Sequence, residues 1–296
     1  RRTRGREGRR VTFQADIIKS WPFEEVRQTY TARDAIIYAL GIGLGMDPLD
    51  GKQLDYLWEE ADFRVVPTMA VVLAGPGFWV RDPRSGVDWR KVLHGEQGLE
   101  IFKPLPPGGT VAATTRVTDV LDKGESKGAL IYVERTLHDV ATGDRLARLT
   151  STTFARGDGG FGGPAGPQPP VVQIPDAAPD AVCDLPTSRR AALLYRLSGD
   201  DNPLHVSPAV ARAAGFREPI LHGLCTLGVA GHAILRSACD YDHTRLKSLK
   251  LRFSRPVYPG ETIRTEMWTR DGKVLFRASS VERGLVVLDN GCAEVG

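Results

Sequence analysis

The segment from Gly157 to Pro170 reads Gly-Asp-Gly-Gly-Phe-Gly-Gly-Pro-Ala-Gly-Pro-Gln-Pro-Pro, and no helix or strand interior can be built from it. It divides the 296-residue chain into stretches of about 155 and 120 residues, each enough for a domain. The two sides echo each other. Thr31–Leu40 (Thr-Ala-Arg-Asp-Ala-Ile-Ile-Tyr-Ala-Leu) lines up with Ser188–Leu197 (Ser-Arg-Arg-Ala-Ala-Leu-Leu-Tyr-Arg-Leu), and both read as capped amphipathic helices that stop before a glycine-containing turn. Pro107-Gly108-Gly109-Thr110-Val111 is answered by Pro259-Gly260-Glu261-Thr262-Ile263. Three strand-forming runs follow in each half, Thr110–Val120, Gly128–His138 and Asp144–Ala155 in the first, Thr262–Thr269, Val274–Val281 and Leu285–Glu294 in the second. Hairpin breaks such as Thr142-Gly143 and Asp271-Gly272 separate them. Helix first, antiparallel sheet second, repeated at a nearly constant offset, is the pattern of a duplicated α+β unit.

Composition narrows the classes. Hydrophobic residues make up 42% and charged residues 25%, which reads as a soluble globular protein, and no apolar run approaches the length of a membrane span. The net charge of +3 comes largely from six arginines among the first ten residues, and the remainder is slightly acidic, so there is no broad basic field for nucleic acid. Residues 1–11 are expected to be a disordered basic arm or an expression scar. Four cysteines, Cys183, Cys225, Cys239 and Cys292, with no Cys-x-x-Cys pair, fit reduced thiols rather than a disulfide scaffold.

The densest polar punctuation is Leu197-Ser198-Gly199-Asp200-Asp201-Asn202-Pro203-Leu204-His205-Val206-Ser207-Pro208, between one helix and a second at Ala209–Ala214 that Gly215 ends. A carboxylate and an imidazole five residues apart on a bent loop can face one cavity and move protons at neutral pH; each can equally be an ordinary loop residue. Pro219–Leu235 reads as an apolar helix lined with Gly223, Gly228, Ala230, Gly231 and Ala233, small enough to lie very close to a sheet or a ligand. Free N–H groups at its start, near Gly223, would suit an oxyanion. Other signals fall away. Gly124-Glu125-Ser126-Lys127-Gly128 matches a hydrolase elbow but runs into a strand, not a helix. Gly41-Ile42-Gly43-Leu44-Gly45 lacks the spacing and the preceding strand of a dinucleotide loop. His222 and Cys225 have no second ligand pair at structural-zinc spacing, so no metal is expected. The five tryptophans read as core or lid residues.

The run Tyr195–His205, followed by Ala213-Ala214-Gly215-Phe216 and Pro219-Ile220-Leu221-His222-Gly223-Leu224, resembles the motif of the MaoC-like (R)-specific enoyl-CoA hydratase 2 family. Tyr38-Ala39-Leu40-Gly41-Ile42-Gly43 and His94-Gly95-Glu96-Gln97 extend the resemblance to the two-domain members, over about residues 12–296. The resemblance implies a double hot dog, each repeat a central helix wrapped by an antiparallel sheet. Residues 12–156 would be a non-catalytic repeat that accommodates the acyl chain, 157–182 a linker, and 183–296 the catalytic repeat. Asp200 and His205 would be the acid/base pair around a water, Asn202 a polar partner, and Gly223 the oxyanion N–H. His222, Leu224, Gly199 and Pro203 would contact substrate.

In the first repeat Gly43 stands where Asp200 does and Pro48 where His205 does, so that half lacks the pair. Its segment around Thr68–Ala74 would line the room for a long tail. Ser207 replaces an Asp that the family usually carries two residues after the His, which implies a weaker supporting contact. The implied activity is reversible hydration of trans-2-enoyl-CoA to (3R)-hydroxyacyl-CoA, with no cofactor beyond the CoA of the substrate. A homodimer is implied too, cytoplasmic in a bacterium or peroxisomal in a eukaryote, although Ala293-Glu294-Val295-Gly296 is no Ser-Lys-Leu signal. The alternatives are a dehydratase of acyl-carrier-protein thioesters, which calls for a basic docking patch, a thioesterase on the same fold, and a non-catalytic acyl-thioester-binding subunit.

Overall fold

The computed structural model describes residues 13–60 and 62–296, so the basic arm at 1–11 lies outside the described residues. The first half contributes β1 (Val26–Tyr30), β2 (Val92–Ile101), β3 (Gly109–Asp122), β4 (Ala129–Asp139) and β5 (Arg145–Ala155). The second contributes β6 (Ala181–Pro186), β7 (Leu246–Phe253), β8 (Thr262–Arg270), β9 (Lys273–Ser280) and β10 (Leu285–Val295). All ten form one sheet in the order β1-β3-β4-β5-β2-β7-β10-β9-β8-β6. Read from either edge inward, each half runs first, third, fourth, fifth, second, so the duplication seen in the sequence is a duplication of topology. The halves meet where β2 pairs antiparallel with β7, Gly98 opposite Lys250.

After the short α1 (Ala15–Lys19), helices α2 (Ala32–Gly41) and α3 (Ala191–Tyr195) are the two echoed segments. Asp34 reaches back to accept the Thr31 N–H at 2.8 Å, fixing the start of α2. The long helix is α5 (Gly223–Ser237), with every residue from Cys225 to Leu235 buried.

Here the repeats diverge. The expected central helix of the first half is absent among its described residues, which form short 3-10 turns such as Gly51–Tyr56 and Pro67–Val72 between α2 and β2. Glycines and prolines punctuate that stretch too densely for a long helix, and Gly43 and Gly45 take the left-handed conformation at φ +93° and +79°. The one long helix therefore serves both halves. Two of its glycines face the first half: a Cβ on Gly228 would run into Ile42, and one on Gly231 into Thr68. One continuous core results, joining Tyr38, Ile42 and Leu149 to Leu227, Ile234 and Phe276.

The Gly/Pro stretch starts beside the β3–β4 turn, where Phe161 packs on Phe13, and from Pro169 it crosses the face of the sheet away from the long helix. Trp268 points to that face while Ile263 and Met267 point to the core, and its indole N–H donates to the carbonyl of Ala177 at 2.8 Å. Asp122 accepts the N–H groups of Gly160 and Gly162, and Asn290 donates to the carbonyl of Val172. β6 already begins at Ala181, so the last two residues of the 157–182 stretch are strand, paired with β8. All four cysteines are free and buried. Gly124–Gly128 is the β3–β4 hairpin turn, as its sequence context indicates. No described helix is long and apolar enough to cross a membrane.

Candidate active site

The loop after α3 is assembled from local hydrogen bonds. Gly199, at φ +111°, reverses the chain where a side chain would be strained. Asp200 accepts the Asn202 N–H at 3.2 Å, and Asn202 accepts the Leu204 N–H at 3.0 Å. Asn202 thereby caps the 3-10 turn Pro203–His205, with Pro203 in the first position, where its missing N–H costs nothing. Asn202 and Pro203 are exposed, so both are placed to shape the turn, and His205 at its end is buried. Ser207 then caps α4 (Pro208–Ala213), its hydroxyl accepting the Val210 N–H at 3.4 Å. The departure from the family pattern thus replaces one good capping residue by another. Beyond α4, Gly215 at φ +87° closes a Schellman motif in which the Phe216 N–H meets the Ala211 carbonyl at 2.9 Å.

The start of α5 brings in the rest. His222, which precedes the helix and is buried, lies flat against His205 with ring centroids 3.8 Å apart. His205 Nδ1 is 2.8 Å from the Ile220 carbonyl, and His222 Nε2 is 3.2 Å from the Asp200 carbonyl. A carbonyl only accepts, so each of those nitrogens carries a proton, which leaves His205 Nε2 and His222 Nδ1 as lone-pair acceptors. The Nδ1 of His222 is buried without a partner. Ligand atoms of Asp200, His205 and His222 all lie within 4.8 Å of one another, the one described group of His, Cys, Asp or Glu able to hold a metal ion. Cys225 takes no part, since its thiol donates to the Gly41 carbonyl.

Burial pushes the pKa of His205 down, against the Ile220 carbonyl and the Asp200 charge, which favour the protonated ring. Burial does the same to His222, with the neighbouring His205 adding to it. Both imidazoles are neutral at neutral pH. The N–H of Gly223, first residue of α5, finds no acceptor among the described residues, and Gly223 is open to solvent. It offers a donor at the positive end of the longest helix.

From Leu224 a cavity of about 250 Å³ runs under the first half, lined by His94, Gln97, Val71, Trp79 and Leu149 among others. Only Val71 of the Thr68–Ala74 segment reaches it, while Thr68 accepts the Tyr38 hydroxyl. His94 was not singled out as a site residue by the sequence. Its ring packs on Phe253 with centroids 4.8 Å apart, and it feels the charge of Asp200. The signal was the His94–Gln97 motif on β2.

The chain matches two family models, the MFE-2 hydratase 2 N-terminal domain over residues 28–157 and the MaoC like domain over residues 170–290. It is 40% identical to 3-hydroxyacyl-thioester dehydratase Y of Mycobacterium tuberculosis, over 90% of this chain and 92% of that one. It is 38% identical to the peroxisomal enoyl-CoA hydratase 2 of Arabidopsis thaliana, over 93% and 94%. The crystal structure of a MaoC-like dehydratase from Phytophthora capsici superposes with a TM-score of 0.84 at 40% identity, covering 95% of this chain and 98% of that one. Full-length likeness to these relatives, together with the duplicated sheet around one long helix, makes the chain a member of the two-domain MaoC-like hydratase 2 family.

Proposed function

We propose that the chain is an (R)-specific 2-enoyl-CoA hydratase, interconverting trans-2-enoyl-CoA and (3R)-hydroxyacyl-CoA in fatty-acid metabolism. The observation that carries the proposal is the grouping of Asp200 and His205 with His222, which is followed in the chain by the donor Gly223 and by Leu224, a lining residue of a cavity of about 250 Å³. Hydration needs a base for water, an acid for C2 and a donor for the charge that builds on the thioester oxygen. Asp200 and the free Nε2 of His205 share one water between them. As its oxygen bonds to C3, the π pair moves toward C2 and charge gathers on the thioester oxygen. One proton of the water leaves to the pair and one arrives from the pair at C2, so both side chains finish as they began. The Gly223 N–H meets the oxyanion, preorganised by the helix it begins. The relatives' printed activities support the same reaction class.

The test mixes purified protein with trans-2-enoyl-CoA of short, medium and long chain, without nucleotide or metal. Loss of the conjugated thioester absorbance and a (3R) product are expected. No hydration at any length, or a (3S) product, would sink the proposal.

A further inference from the structure

The wall that the first half lends to the cavity carries a cation. Arg135 on β4 and Thr115 on β3 face each other across the ladder, and both line the cavity that Leu224 borders. One terminal nitrogen of Arg135 donates to the carbonyl of Val71 at 2.8 Å. The Arg135 Nε and the Thr115 hydroxyl are buried with no partner. No carboxylate among the described residues pairs with the guanidinium; burial alone shifts it, down to about 10, so it stays charged at neutral pH. Phe78, Trp79, Val133 and Leu149 line the same cavity, with the polar Gln97, Ser151 and Thr153.

A plain hydrocarbon tail in this cavity would leave the charge and both orphan groups unmet, an arrangement the folded chain tolerates poorly. A carboxylate meets all of them, because its two oxygens accept parallel N–H bonds from a guanidinium and have capacity left for a hydroxyl. We propose that Arg135, with Thr115, receives a carboxylate on the distal end of the acyl chain, so that the preferred substrates are thioesters of ω-carboxylated 2-enoic acids. The proposal rests on the hydratase reading for its reaction and on the cavity wall for its specificity.

The experiment compares kcat/KM for pairs of trans-2-enoyl-CoA of equal carbon number, one methyl-ended and one ω-carboxylated, across short, medium and long chains. At the length that reaches Arg135 the carboxylated member is expected to lead by at least about tenfold. Arg135→Met should reverse that ratio and Arg135→Lys retain part of it. Thr115→Val, nearly isosteric and a safeguard should Arg135→Met fail to fold, should lower it severalfold. Equal or lower kcat/KM for the carboxylated member at every length, or a ratio that Arg135→Met and Thr115→Val leave unchanged, overturns the proposal. If neither member is hydrated the hydratase reading fails by itself. Calorimetric binding of the same pairs then decides the specificity, with equal affinities counting against it.

Discussion

The imidazole of His205 lies on that of His222 at 3.8 Å between centroids, each ring tied by one nitrogen to a backbone carbonyl. The stack and the two carbonyls fix both the plane and the tautomer of His205, which leaves its Nε2 as a lone-pair acceptor, the state the proposed reaction requires of a base. Asp200 is held by the same arrangement, since its carbonyl is the acceptor for His222. In the proposed reaction His222 would thus position the pair.

His205→Gln and Asp200→Asn are expected to lower kcat by about 10²–10⁴-fold, with thermal unfolding close to that of the parent protein. His222→Phe keeps a ring for the stack but loses the tie to Asp200. It should lower kcat by about tenfold, less than either partner, and leave KM nearly unchanged. Steady-state kinetics on one enoyl-CoA separates the three, and a His222→Phe loss equal to that of His205→Gln would make His222 a direct participant.

The acid limb of the pH profile follows from burial. His205 has a pKa below the ordinary imidazole value of about 6.5, so its base form persists into mildly acidic solution. The midpoint of the acid limb of kcat/KM is therefore expected below pH 6.5. A midpoint above that value would assign the limb to another group or a different charge state of the stack.

Stability should also fall in acid, and for a nearby reason. His232, buried in α5, has its Nε2 3.0 Å from the Tyr241 hydroxyl, and burial pushes its pKa down to about 4. The unfolded chain takes up a proton at this side chain near pH 6.5, the folded one only near 4, so stability declines as pH drops through that interval and the loss is complete below it. The interval corresponds to about 3 kcal/mol. Urea unfolding at several pH values should show a flatter acid slope for His232→Gln than for the parent protein; equal slopes would place the acid sensitivity elsewhere.

What the sequence made legible is what neighbours in the chain determine. The strands β3–β5 and β8–β10 are joined by tight turns with Gly signals, and their expected limits agree with the observed ones to within two residues. β1 and β6 are short edge strands, and β2 contains Gly95 and Gly98, so none announces itself by pattern. The Asp200–His205 turn was readable because its Asx bonds and cap are local. The His205–His222 stack depends on how α5 docks, and His94 and Arg135 come from the other half. Only the fold brings these together. The missing helix of the first half shows the limit of reading one repeat from the other, for Gly228 and Gly231 of α5 are fitted to its absence. Gly228→Val should accordingly cost about 2–3 kcal/mol in denaturant unfolding by overpacking against Ile42, and a cost within about 0.5 kcal/mol would contradict that fit.

The oxyanion role proposed for Gly223 can be separated from the helix it starts. Proline is well tolerated at the first position of a helix, where the N–H has no intrahelical partner, and His222 before it already has φ −59° and ψ 137°, the extended conformation that a following proline requires. A Cβ at Gly223 would lie 3.3 Å from the Phe253 ring, a contact that a small tilt of the ring relieves. Gly223→Pro therefore deletes one N–H with little change to α5. If that N–H stabilises the thioester oxyanion, kcat should fall by about 10²–10³-fold, KM should change little, and unfolding should stay near that of the parent. Gly223→Ala supplies the control, since it adds the same Cβ and keeps the donor, and should retain most of the activity. Equal losses in the two variants would attribute the effect to crowding against Phe253 and remove Gly223 from the chemistry.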